Sequence, residues 1–172
     1  MSYRQFAVPA LVLALAVGCD DDDNGLTAPA AQTFTATLNG ANERPTPVTT
    51  PGVGTANFTL SADGNTLSWT VTMTGVSNVT AAHIHIGGRE VAGPVELGLF
   101  AGPTTNNPAI SGSVTRATFV SPLGLSFDTL LSLMRSGDTY TNVHTNNGVA
   151  PTNQGPGDFP AGEIRGQIAL AP

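Results

Sequence analysis

Three histidines are the whole imidazole complement of this 172-residue chain, and two of them, His83 and His85, stand one residue apart in Ala82-His83-Ile84-His85-Ile86-Gly87. The third, His144, lies in Tyr140-Thr141-Asn142-Val143-His144-Thr145. Neutral imidazole nitrogens are good ligands for Zn or Cu, and three of them leave a fourth position for water or substrate. Gly162-Glu163-Ile164-Arg165-Gly166-Gln167 adds a carboxylate, Glu163, able to act as a base or to orient a histidine. It also adds a guanidinium, Arg165, able to clamp an anion. The competing reading is purely structural: His-x-His occurs without metal, and same-face residues two apart can satisfy each other by hydrogen bonds.

Everything depends on which elements carry these groups. The β-branched and apolar residues around His83 and His85 suit a strand, where alternate side chains share a face. His83 and His85 then project together, opposite Ile84 and Ile86. The same counting puts Tyr140, Asn142 and His144 on one face, and Glu163, Arg165 and Gln167 on one face opposite Ile164 and Ile168. If these three strands are neighbours, one polar surface gathers three imidazoles, a carboxylate, a guanidinium and a phenol. Strand adjacency is the step that sequence does not supply.

Elsewhere alternation is frequent. Phe34, Ala36 and Leu38 alternate with threonines, as do Ala56, Phe58 and Leu60, while Leu67, Trp69, Val71 and Met73 follow a turn at Ser61-Ala62-Asp63-Gly64-Asn65. Residues 95–100 and 110–120 are further strands. One segment differs: Phe127, Leu130, Leu131 and Met134 recur at helical spacing, with Ser126 placed to cap the start and Gly137 to close the end. Twenty glycines and thirteen prolines beside only 10% charged residues favour short strands and many turns. The expectation is all-β: a two-sheet Greek-key sandwich or a barrel of about seven or eight short strands with one short helix.

A formal charge of −6 with only six basic residues leaves no stripe able to neutralise phosphates, which argues against nucleic acid as a partner. No nucleophile elbow, phosphate loop or cysteine-based metal motif is present, so no catalytic residue is assigned and the pattern points away from an enzyme. The N-terminus carries one positive charge, Arg4, before an apolar run too short to span a membrane, and reads as a signal segment over residues 1–18. Leu15-Ala16-Val17-Gly18-Cys19 resembles a bacterial lipobox, with Ala16 where leucine is preferred. That resemblance implies a lipid-modified Cys19, a membrane anchor and a place in the cell envelope, periplasmic or surface-facing. Residues 19–32, including four consecutive aspartates from Asp20 to Asp23, read as a flexible acidic linker, and 33–172 as the folded domain.

Taken together, Leu38-Asn39-Gly40-Ala41-Asn42-Glu43, the His83/His85 stretch, the segment ending at His144-Thr145 and Gly162-Glu163-Ile164-Arg165-Gly166-Gln167-Ile168 resemble the CHRD domain, named from chordin. The likeness covers about residues 33–171. It implies an extracellular, immunoglobulin-like or barrel-type β domain without established enzymatic activity, with family motifs falling on His83, His85, His144, Glu163 and Arg165.

Overall fold

The computed structural model describes residues 30–172, so the signal segment, Cys19 and most of the acidic linker lie outside the described residues. Alternation translates directly into strands. In β1 (Gln32–Asn39) Phe34, Ala36 and Leu38 are buried, while Thr35, Thr37 and Asn39 are not. β2 (Val53–Leu60) and β3 (Thr66–Thr74) repeat the pattern and pair in unbroken antiparallel register from Val53↔Thr74 to Leu60↔Leu67. The turn between them is closed by Ser61 N–H on Thr66 O and by Asp63 Oδ1 accepting from Asn65 N–H, with Gly64 at φ +69°.

β4 (Val79–Ile86), β5 (Val95–Thr105), β6 (Ile110–Thr115), β7 (Thr139–Thr145), β8 (Ile164–Gln167) and β9 (Ala169–Leu170) complete the set among the described residues. Their order is β5-β4-β7-β8-β1-β2-β3-β6, antiparallel throughout, with β9 pairing β1. The sheet curls into a nearly closed barrel with β5 and β6 at its edges. Of the two expected architectures, the barrel is the one adopted.

The strand expected over 110–120 is shorter than its composition suggested. Thr115 accepts from the N–H groups of Thr118 and Phe119, and this turn takes the chain off the sheet. β6 also shows why a glycine sits in a strand: a Cβ at Gly112 would lie 2.6 Å from the Trp69 ring packed across from it.

The inward side chains of the strands form one apolar core, sealed by α1 (Phe127–Ser136). Ser126 Oγ accepts from Thr129 N–H at its start and left-handed Gly137 closes its end. Phe127, Leu130, Leu131 and Met134, the four positions at helical spacing, are all buried, and burial of side chains of this kind is worth about 1.5–3 kcal/mol each.

On β4, β7 and β8 the core takes Ala82, Ile84, Val143 and Ile164, which leaves His83, His85, Tyr140, Asn142 and Arg165 on the other side. That side is nevertheless covered: Tyr140 is 2%, Asn142 4%, Arg165 2% and His85 7% exposed. Three connections fold over it. The β4–β5 loop meets Tyr140 and Arg165 through Gly93 and Gly88, the segment after β1 brings Glu43 to Asn142, and the β7–β8 loop brings Pro160 and Ala161 to His144 and Asn142.

Candidate metal centre

The adjacency that the site required is present: β4, β7 and β8 are consecutive in the sheet. Register places His85 opposite Tyr140, His83 opposite Asn142 and Ala81 opposite His144, while Asn142 in turn faces Arg165. Two strands therefore deliver all three imidazoles to one spot. One ligand nitrogen from each of His83, His85 and His144 lies within 4.8 Å of the other two. His83 Nδ1 and His144 Nε2 are 3.0 Å apart, close to the roughly 3.3 Å edge of a tetrahedral site with metal–nitrogen bonds of about 2.0–2.1 Å.

Backbone carbonyls set the tautomers. His85 Nδ1 donates to Gly93 O at 2.9 Å and His144 Nδ1 donates to Pro160 O at 3.0 Å. A carbonyl cannot donate, so each Nδ1 carries the proton and each Nε2 offers a lone pair. His144 Nε2 uses its lone pair toward His83, whereas His85 Nε2 is buried with no hydrogen-bond partner among the described residues. Orienting bonds of this kind, from the non-ligating nitrogen to a carbonyl, are the usual support of metal-bound histidines.

The electrostatics favour neutral rings. Burial lowers the pKa of all three, and for His83, with His144 and His85 adding repulsion, the value falls to about 4. Neutral imidazoles can ligate without net loss of a proton, and His83, whose Nδ1–H donates to His144 Nε2, would offer Nδ1 to an ion as its Nε2–H tautomer.

Around the triad, Tyr140 stacks on His85 with ring centroids 4.9 Å apart and planes 13° from parallel. Its hydroxyl accepts from Gly93 N–H and donates to Gly93 O, tying the β4–β5 loop down over the ring. From β8, the Arg165 guanidinium lies 3.4 Å from the Tyr140 ring centroid, a cation–π contact. Tyr140 thus sits between His85 on one neighbouring strand and Arg165 on the other.

Glu163 does not join them. Its carboxylate accepts from the hydroxyls of Thr50 and Thr145 and from Gly157 N–H, pinning two loops together. The equal-face count fails there because Glu163 precedes the regular part of β8 and follows Gly162 at φ +139°, where strand alternation does not apply.

Sequence reasoning assigned no role to Glu43, which is 3% exposed and reaches Asn142 at 3.5 Å, or to the carbonyls of Gly93 and Pro160. A carbonyl has no side-chain signature, so only the folded loops could disclose those two. The family model of the CHRD domain matches residues 34–168. No curated protein gives a significant match.

Proposed function

We propose, from the premise that the chain belongs to the CHRD domain family, that it is an exported β module, lipid-anchored through Cys19, which holds a Zn or Cu ion on His83, His85 and His144. The observation that carries this is the buried Nε2 of His85, unpartnered among the described residues, beside two further imidazole nitrogens. Leaving a buried acceptor unpaired costs about 1–3 kcal/mol, and a metal ion removes that cost. Three neutral imidazoles without a thiolate suit Zn or Cu(II) over Mg or Ca, which take oxygen ligands. The lipobox-like Leu15 to Cys19 segment supports export and anchoring.

The test is elemental analysis of the purified full chain together with melting in added metal. Near-stoichiometric Zn or Cu, a rise in Tm with that metal, and loss of both in His85→Gln are expected, because an ion bound only by the folded state stabilises that state. A metal-free chain whose melting ignores added Zn and Cu refutes the reading. His85→Gln would then register only as a disturbed buried hydrogen bond, about 1–3 kcal/mol.

A further inference from the structure

The chain has six basic residues, all arginines, and three of them line one cleft. Arg44 comes from the segment after β1, Arg89 from the β4–β5 loop and Arg165 from β8; Asn42, Glu90 and Gln167 complete the walls. For a chain with a net charge of −6 this is a concentrated positive spot.

Its charges are unevenly satisfied. Arg44 is held by Glu90, with Nε and an amino nitrogen of the guanidinium on the two carboxylate oxygens at 2.7 and 3.0 Å. Glu90, the one acid in the lining, is thereby engaged. Arg89 is exposed and makes no hydrogen bond among the described residues. Arg165 is 2% exposed, donates to Gly88 O at 2.8 Å and stacks on Tyr140, and among the described residues no carboxylate lies within ion-pair distance of it. The nearest acid by charge interaction is Glu43, whose carboxyl is pushed up to about 8 by burial and is mostly protonated at neutral pH. A buried guanidinium with no carboxylate in direct contact is costly, and burial lowers the Arg165 pKa even with Glu43 and Glu90 acting on it from further off. The protein carries that cost next to an open cavity of about 70 Å³, against the ~10–15 Å³ that admits one water.

We infer that this cleft binds a small oxyanion, a phosphate or a carboxylate, held by Arg165 at its floor and Arg89 at its rim. Guanidinium presents paired N–H donors matched to the oxygens of either group, and a second guanidinium across the cleft can take the remaining oxygens. The volume restricts the buried part to a single such group. The site is separate from the imidazoles, since Tyr140 stands between His85 and Arg165.

Melting of the full chain is followed in sodium phosphate and in sodium acetate, each against sodium chloride of equal ionic strength. The background is His144→Gln, so that phosphate cannot act by stripping metal. At least one of the two anions raises Tm in a saturable way beyond chloride, and the arm that responds identifies the class of oxyanion. Arg89→Gln, which removes an exposed side chain with no internal hydrogen bond, weakens the apparent affinity about tenfold, the size of one lost charge-assisted contact. Arg135→Gln, on α1 and away from the cleft, leaves it unchanged. Melting that follows ionic strength alone in both anions, or an Arg89→Gln chain that titrates like its parent, overturns the inference. Because the imidazole triad is disabled in every arm, the outcome does not depend on whether the parent chain binds metal.

Discussion

Glu43 illustrates what one buried side chain imposes. Its Oε1 meets no partner among the described residues, and desolvation outweighs the pull of Arg165 and of the Asn142 amide, raising the carboxyl from 4.5 to about 8. The folded state therefore holds this proton more tightly than the unfolded chain does. The associated stability is complete below about pH 4.5 and is lost as pH rises through 8. Urea denaturation between pH 5 and 8 should show wild type losing on the order of a few kcal/mol through this group, whereas Glu43→Gln removes that component of the slope. A variant with the same slope as wild type would assign the pH dependence elsewhere. Glu163, also buried, differs in its contacts: three donors meet its side-chain oxygens, where Glu43 leaves Oε1 unpaired among the described residues. The difference between these two acids is a matter of partners, which a sequence does not display.

At the scale of elements, the β4–β5 loop ties the imidazoles to the fold. Gly93 O takes both the His85 Nδ1 proton and the Tyr140 hydroxyl, and a Cβ on Gly93 would fall 1.6 Å from Ile86 O. No side chain can be added there without moving the loop. Gly93→Ala should cost more than about 2 kcal/mol in chemical denaturation, as overpacking against a rigid backbone does. It should also weaken metal binding by roughly 10–100-fold in a direct titration, the usual penalty for losing a ligand's orienting bond. Binding that survives unchanged would show that Gly93 does not orient His85.

This loop also marks how far the sequence could be read. Period-two alternation at Phe34, Ala36 and Leu38 or at Leu67, Trp69 and Val71 reports local backbone and a buried face, so the strands could be placed. The helical spacing of Phe127, Leu130, Leu131 and Met134 worked for the same reason. That β7 runs between β4 and β8 depends on pairings 53 to 66 residues apart on one side and 21 to 27 on the other, which no local pattern encodes. The three histidines could therefore be nominated as a group, yet their convergence, and the displacement of Glu163, had to come from the fold.

For the whole molecule, the barrel makes a self-contained folded unit of residues 32–170, and among the described residues no helix is long and apolar enough to cross a membrane. Attachment to a membrane through Cys19 is part of the proposal and is tested separately. Labelling cells with a fatty-acid analogue should mark the chain and spare Cys19→Ser; equal labelling of both, or of neither, would remove the anchor from the account.

The pairing of β9 with β1 has a mechanical consequence. Phe34 faces Leu170, Thr35 faces Ala169, and Ala171 N–H reaches Thr33 O, so the first and last strands run antiparallel with their outer ends side by side. A load pulling those two ends apart acts across the ladder at its terminal rung. The bonds then open one after another, as in a zipper, instead of resisting together in shear. Under tension between a tether before β1 and anything grasping the chain beyond β9, the last strand peels away first, at low force, before the β4–β7 pair that carries the imidazoles is loaded.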